Sequence, residues 1–561
     1  MSGIVDEVRS GLIRVLEKAA AAANTSGALN VEEIPEFVVE VPREKGHGDF
    51  ATNLAMTLAK PARMAPRKIA ETIIEYLDLE DTWVERVEIA GPGFINFYLD
   101  PSWVYETLRR IEIAGSDYGR LMLGAGKKVQ VEFVSANPTG LLHMGNARGA
   151  ALGDSLAALL DFAGYQVTRE FYINDAGNQI ENFGRSLEAR YLQLLGQNCP
   201  VPEDGYHGKD IIDTMQGFIQ KYGDKYLKVE ESERRKVMVE YALAEKLGAI
   251  RNNLADFGVN YDVWFSEQTL HESGAVDEVI KLLQEKGYIY EKEGALWFKA
   301  SEFGLEKDEV VVRSNGIPTY FAADIAYHKN KFDRGFERVI NIWGADHHGH
   351  VNRVKGAVAA VGYNPENLDV ILMQLVRLFR GGEIVRMSKR TGQFVTLEEL
   401  VEEVGRDAAR YFFIMRGADS HLDFDLDLAK SQSNENPVFY IQYAHARICS
   451  IFRQLEEQGR ELPSAEQVDL TLLKEETELE LIRKLADFSD EIASAAQNLA
   501  PHRIARYVHE LAGLLHSFYN SNRVIVDDPE LSGARLVLVK ATQIVLQNAL
   551  FILGVAAPEK M

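Results

Sequence analysis

The chain has 561 residues, 46% of them apolar and 26% charged, with 44 Gly and 16 Pro. Apolar content near the globular average excludes a disordered or collagenous chain, and at roughly 150 residues per domain the length suggests about three or four domains. Sixty-one Lys and Arg against 84 Asp and Glu leave a net charge of −23, which excludes a general polycation for nucleic acid but not local basic patches.

Cys199 and Cys449 each stand alone in the sequence, so neither a disulfide framework nor a four-cysteine zinc site is within reach. The acidic start, Met1 to Glu7, lacks the charged-then-apolar pattern of a signal segment. The longest uncharged stretch, 541–558, is interrupted by Gln543, Gln547 and Asn548 and reads as a packed helix rather than a membrane span. A cytoplasmic protein without a membrane segment is the expectation.

Residues 1–115 read as a small α+β domain. Helical spacing of Val5, Val8, Leu12, Ile13 and Leu16 gives way to a strand-like 37–41, a polar loop at 42–49 and a helical run from Ala51 to Ala59. Two apolar runs between Val84 and Tyr98 are joined by Gly91-Pro92-Gly93, a turn between strands. From Gly124 the pattern changes: strand 129–134, loop 135–140, a long small-residue helix from His143 to Ala163, then strand 165–172. That is a βαβ unit, which implies a parallel sheet.

The sheet domain is expected in two halves, 116–190 and 314–405, separated by a helical insertion with short strands at 191–313. Its second half resumes with Val339 to Gly344 and a helix, and Gly381-Gly382 between two apolar runs signals a hairpin. From about Leu397 every apolar period is helical, so 406–561 is expected to be an all-α bundle. The fold class is therefore multidomain α/β: a parallel-sheet, Rossmann-like domain with a helical insertion, between an N-terminal α+β domain and a C-terminal bundle.

Ligands of an open parallel sheet bind beyond the carboxyl ends of its strands, where helix N-termini present unpaired N–H groups suited to phosphate. His143-Met144-Gly145-Asn146 lies at such a turn: Gly145 would admit a flat base, and His143 and Asn146 could donate to phosphate oxygens. Alone, a histidine capping a helix explains it as well. The second basic site is Arg386-Met387-Ser388-Lys389-Arg390, a Gly-flanked loop over 386–392, where Lys389 could act as a point charge at a polyphosphate. Alone, a solvated surface explains that too.

Together, His-x-Gly-Asn and Met-Ser-Lys resemble the paired signatures of class I aminoacyl-tRNA synthetases, which bind ATP and catalyse adenylate formation. The resemblance narrows to the arginyl-tRNA synthetases through Ser135 to Gly140, Tyr172 to Gln179, Trp343 to Gly349 and Asn436 to Arg447, and it extends from Pro42 to Met561. Two positions depart: Asn146 stands where the family commonly has His, and Arg386 where it has Lys. The resemblance implies that His143, Gly145, Asn146, Met387, Ser388 and Lys389 bind ATP. Among these, His143, Gly145, Asn146, Ser388 and Lys389 would be catalytic. It implies that Glu132, Ser135, Asn137, Tyr320, Asp324 and Asp346 bind L-arginine. The carboxylates of Glu132 and Asp324 would face the guanidinium, with Asn137 at the α-amino end. Tyr440, Gln442, Tyr443, Arg447, Tyr519 and Met561 would contact the tRNA for arginine. Mg2+ would arrive with ATP, the enzyme would be a monomer, and arginine activation would require bound tRNA.

The residues by themselves add context. Tyr320 and Asp324, four apart on a helix, share a face. Of His347, His348 and His350, positions 347 and 350 could share a helical face, but no cysteine and no clear third ligand accompanies them, so no protein-held metal is expected. Arg410, Tyr411, Phe412, Phe413 and Arg416 put cations and aromatics within two helical turns, a candidate RNA patch most of whose aromatics are expected in the core. The rival readings are a class I synthetase for another amino acid, a non-catalytic tRNA-binding paralogue, and a nucleotidyltransferase with a similar His motif.

Overall fold

The computed structural model describes residues 3–42, 44–80, 82–100, 102–385 and 395–561. Arg386, Met387, Ser388 and Lys389 lie outside the described residues.

The first region runs through α1 (Ile4–Thr25), β1 (Val39–Glu40), β2 (Phe50–Thr52), α2 (Leu54–Ala62), α3 (Pro66–Glu75), β3 (Val84–Ala90), β4 (Phe94–Leu99) and α4 (Ser102–Ala114). Its antiparallel sheet has the order β1-β2-β4-β3. Ala51, expected in a helix, lies in β2, because Phe50 to Thr52 pair with β4 before the helix starts.

The sheet domain starts with β5 (Lys128–Glu132), α5 (Met144–Phe162) and β6 (Gln166–Ile173). Three long helices follow, α6 (Asn178–Leu194), α7 (Lys209–Tyr222) and α8 (Glu231–Asp256), around a core of Phe183, Tyr191, Met215 and Phe218. Then come β7 (Val263–Ser266), α9 (Gln268–Glu272), α10 (Ala275–Glu285), and the antiparallel strands β8 (Ile289–Lys292), β9 (Ala295–Phe298) and β10 (Glu309–Val312). The chain returns through α11 (Tyr320–Asp333), β11 (Arg338–Gly344), α12 (His348–Val361) and β12 (Leu368–Met373).

Strands β12-β11-β5-β6-β7 form one sheet in which every neighbouring pair is parallel. The sequence reading puts all of 191–313 outside this sheet. Val263–Ser266 corrects it: four residues within the helical stretch form the sheet's edge, and they carry too short a pattern to stand out from the helices around them.

Strands β13 (Val376–Arg380) and β14 (Glu383–Val385) form the expected hairpin, with Gly381 and Gly382 at φ 58° and 80°. Helices α13 (Leu397–Val404) and α14 (Arg406–Ile414) lead to β15 (Leu422–Asp425), which pairs in parallel with β13. So the chain is not helical throughout after Leu397: Leu422 and Phe424 alternate inward over too short a run to break the helical reading. The bundle follows α15 (Leu426–Lys430) as α16 (Pro437–Glu457), α17 (Glu476–Ala486), α18 (Phe488–Gln497), α19 (His502–Ser521) and α20 (Pro529–Leu553). Among the described helices α20 alone is long and apolar enough to cross a membrane, and 83% of its most apolar window is buried by the rest of the chain.

Side chains alternate across β5. Val129, Val131 and Phe133 are buried on the α5 face, where Gly153 closes on Phe133. A Cβ at Gly153 would lie 2.1 Å from Phe133 Cγ, so this glycine sets how closely α5 approaches the strand. Gly153→Ala is expected to destabilise the sheet domain by about 1–3 kcal/mol through overpacking, read as a lower urea midpoint. Gly248→Ala, on α8 with open space around it, should leave the midpoint unchanged or raise it slightly.

Candidate active site

Between β5 and β11 the chain order reverses, so the carboxyl ends of these two strands open a crevice. Glu132, the last residue of β5, pairs in register with Asn341 of β11. Beyond it the backbone turns abruptly. Val134 and Ser135 have φ of 70° and 41°, and Ser135 N–H donates to Phe133 O at 3.0 Å. This is a γ-turn with a β-branched residue in the left-handed region, a strained geometry held by its surroundings. It swings the Ser135 hydroxyl back to donate to Glu132 Oε1 at 2.8 Å and to accept from Tyr172 N–H at 3.1 Å. Asn137 follows in the loop, exposed.

His143 is the N-cap of α5. Its Nδ1 accepts from Gly145 N–H at 3.1 Å, and its own N–H donates to Asn146 Oδ1, also at 3.1 Å. The two bonds form a capping box, and the first keeps the ring proton on Nε2. A side chain on Gly145 would press on the His143 ring at 3.0 Å, so the motif's glycine serves the cap as well as an incoming ligand. Burial of the ring's inner side holds its pKa below the ordinary 6.5.

On the far side of residues 386–394, Thr396 forms a β-bridge with His143, and Leu397 N–H donates to Leu142 O at 2.9 Å. The chain at Thr396 and Leu397 thus runs directly beside the first motif. Arg148, one turn further along α5 and buried, donates to Gln374 O at 2.7 Å and Gly417 O at 2.9 Å. Desolvation lowers its pKa to about 10.

Helix α11 covers the opposite face of the sheet, and Tyr320 and Asp324 lie on it as expected. Asp324 is bonded to His350 Nε2 at 2.9 Å, a partner the sequence did not suggest. Glu132 is buried and bound to the ammonium of Lys331 at 2.5 Å. Asp346 does not join these pairs: its side chain is 83% exposed at the turn after β11.

A third carboxylate was not read from the sequence. Glu267 follows β7, is 3% exposed, and accepts from the Tyr172 hydroxyl. Its pKa is raised, chiefly by burial and further by the charge of Asp324. Asp175, inside the Tyr172 to Gln179 motif, holds this loop by accepting from Ser266 Oγ at 2.6 Å and Gln268 N–H at 2.9 Å. Recognising 263–266 as a strand would have placed Glu267 at the crevice. A cavity of about 250 Å³ lies here, lined by Gly177, Glu267, His271, Arg313, Tyr320 and Ala323. Glu267 is the one carboxylate in its wall, which also carries Arg313, and Asp324 lies next to Ala323 just beyond the lining. Among the described residues no three His, Cys, Asp or Glu side chains converge as a metal-ligand set.

In the bundle, Tyr440, Tyr443, Arg447 and Tyr519 gather around His516. Tyr440 and Tyr443 lie 4.5 and 5.9 Å from its ring, and the Arg447 guanidinium lies 3.7 Å over Tyr519. Gln442 donates to Asp407 at 2.9 Å and Ala556 O at 3.0 Å, and with Met561 it lines a separate cavity. Of the Arg410 patch, the aromatics are core as expected, and the correction falls on Arg410 itself. Arg410 is fully buried, bonded to Leu553 O at 3.1 Å and Asp154 at 2.6 Å, and Tyr411, Phe412 and Phe413 are core. Only Arg416 of that group is exposed.

Family models match nearly the whole chain: an arginyl-tRNA synthetase N-terminal domain over 7–99, a class I (R) tRNA synthetase catalytic domain over 110–416, and a DALR anticodon-binding domain over 441–561. The arginine–tRNA ligase of Desulforamulus reducens is 71% identical over 561 residues, covering all of both chains. That of Moorella thermoacetica is 64% identical over 558 residues, again covering both completely. The arginyl-tRNA synthetase structure from Thermus thermophilus shares the fold, with a TM-score of 0.74 at 24% identity, over 98% of this chain and 100% of that one.

The His143 cap has a pH signature. Its folded-state pKa lies below the unfolded one, so its contribution to stability is complete above about pH 6.5 and is lost on acidification until the folded ring also protonates. His143→Asn keeps a capping acceptor that does not titrate. Its unfolding free energy should fall less than that of the parent chain between about pH 7 and 5. Parallel profiles in urea titrations would contradict this.

Proposed function

The chain belongs to the arginyl-tRNA synthetase family, and from that premise we propose how its crevice carries out the reaction. As an arginine–tRNA ligase it activates L-arginine with ATP, giving arginyl-adenylate and pyrophosphate, and transfers the arginyl group to its tRNA. The observation that carries the residue assignment is the meeting of two opposite poles at one sheet edge. The capped N-terminus of α5, bridged to Thr396, is suited to phosphate. Beside it stand the carboxylates of Asp324 and Glu267, suited to a guanidinium, over Glu132 held by Lys331 and Ser135.

In this reading ATP lies over His143, Gly145 and Asn146, with Met387, Ser388 and Lys389 assigned to its phosphates. Mg2+ comes with ATP and keeps phosphate and water ligands. Asp324 and Glu267 face the guanidinium with Tyr320 beside them. Glu132 and Ser135 shape the floor, and Asn137 takes the α-amino end; Asp346 lies at the rim. The arginine carboxylate attacks the α-phosphorus in line as the bond to pyrophosphate breaks, so no protein nucleophile is needed. His143, with its proton on Nε2, donates to the triphosphate, and catalysis is orientation plus stabilisation of phosphoryl charge. Tyr440, Tyr443, Arg447 and Tyr519 stack and pair with splayed bases of the tRNA, with Gln442 and Met561 alongside. The units 1–115, 116–190 with 314–405, 191–313 and 406–561 serve as tRNA contact, catalysis, insertion and anticodon binding, with β7 counted in the catalytic sheet. The enzyme works as a cytoplasmic monomer.

Pyrophosphate exchange with each of the amino acids, with and without tRNA, tests the scheme. Exchange should be specific to arginine and depend on tRNA. Asp324→Asn should raise the arginine KM about 10- to 100-fold, as loss of a charged hydrogen-bond pair implies, with the ATP KM little changed. Arg447→Ala should raise the tRNA KM about tenfold through lost stacking and leave the arginine KM near its original value. An unaltered arginine KM in Asp324→Asn removes that residue from the pocket.

A further inference from the structure

Helix α11 meets the sheet through a buried polar layer. Lys331 is fully buried, yet its ammonium donates to Glu132 Oε2 at 2.5 Å and Asn341 Oδ1 at 2.8 Å, and lies 4.3 Å from the centre of the Tyr327 ring. Asn341 Nδ2 donates in turn to His328 Nε2 at 2.8 Å, and His328 Nδ1–H donates to the Asp324 carbonyl at 2.8 Å. With Ser135 on the other oxygen of Glu132, an unbroken chain of bonds runs from the γ-turn after β5, through Lys331, to the backbone of Asp324. Both ends of the carboxylate cluster hang on one side chain that does not itself reach the crevice.

The charge pattern sharpens the point. Asp324 and Glu267 have imidazole neighbours, His350 at 2.9 Å and His271 at 3.7 Å. Glu132 has a permanent ammonium. A buried ion pair is seldom needed for stability, since apolar residues of similar volume pack as well. Here it fixes orientation and neutralises one of three neighbouring carboxylates.

We propose that Lys331 is a positioning residue for arginine selection: it orients Glu132 and fixes the height of Asp324 on α11 through Asn341 and His328. This inference rests on the assignment of arginine to that cluster.

The test is steady-state exchange kinetics on the full-length chain, with Lys331→Met, Glu132→Gln and the double variant. Lys331→Met should raise the arginine KM about tenfold or more, the scale of a charged hydrogen bond, while the ATP KM stays within about twofold. Because a lone buried carboxylate can prevent folding, the double variant, which carries no unpaired charge, gives the second reading. Its arginine KM should remain above that of Glu132→Gln alone, because Asn341 and His328 have still lost the ammonium that fixes Asp324. Equal and additive rises in both KM values would assign Lys331 to packing and overturn the proposal, as would an unchanged arginine KM in Lys331→Met. If the parent chain exchanges pyrophosphate with another amino acid instead of arginine, the arginine assignment itself falls, whatever Lys331 does.

Discussion

Helix α11 is fastened to the catalytic sheet by charge, and the crevice depends on that fastening. Lys331 binds Glu132 of β5, His328 bonds to Asn341 of β11, and Tyr327 and Arg334 donate to the buried Glu170 of β6. An apolar interface tolerates a helix shifting along its axis with modest loss. A layer of directional bonds to three adjacent strands admits one register, because any shift leaves buried charges unpaired. Since Tyr320 and Asp324 lie one to three turns upstream on the same helix, that register decides where the acidic groups stand.

The opposite face is built by different physics. Between α5 and β5 there is close apolar contact, with Val129, Val131 and Phe133 against a run of small residues that ends in Gly153 over the Phe133 ring. Close packing sets how near the helix comes, and the His143–Asn146 capping box sets where it begins. The helix therefore delivers a defined positive end to the crevice, while α11 delivers a defined negative cluster. In the proposed scheme a triphosphate and a cationic side chain are thus drawn to neighbouring places without a charged group having to move between them.

Much of this was legible in the sequence because it is written locally. The βαβ unit, the hairpin at Gly381-Gly382 and the bundle follow from periodicity and turn residues, and the His143 motif from its place after a strand. What was not legible is set by distant pairing. Val263–Ser266 is an edge strand only because β6 lies beside it, and Glu267 becomes part of the crevice only through Asp175 and Tyr172. Nothing in the spacing of Glu132 and Lys331, 199 positions apart, announces an ion pair. Nor does a valine predict the left-handed γ-turn at Val134. Arg410 shows the converse error: a cation beside aromatics reads as a nucleic-acid patch, yet it donates to the Leu553 carbonyl at the C-terminal end of α20 and to Asp154 of α5, joining the bundle to the sheet domain.

The choice of partner for each carboxylate completes the physical picture. An ammonium within hydrogen-bond reach on a fully buried stem cannot be displaced by solvent or ligand, so Glu132 is committed to the framework. His350 holds Asp324 by a single bond, His271 lies 3.7 Å from Glu267, and neither imidazole need carry charge, so in the proposed site Asp324 and Glu267 keep acceptor capacity for a guanidinium that is always charged and offers five donors in a plane. The carboxylate nearest the strand end is therefore the structural member of the cluster, and the two with imidazole partners are the ones whose free energy changes most when a planar cation arrives.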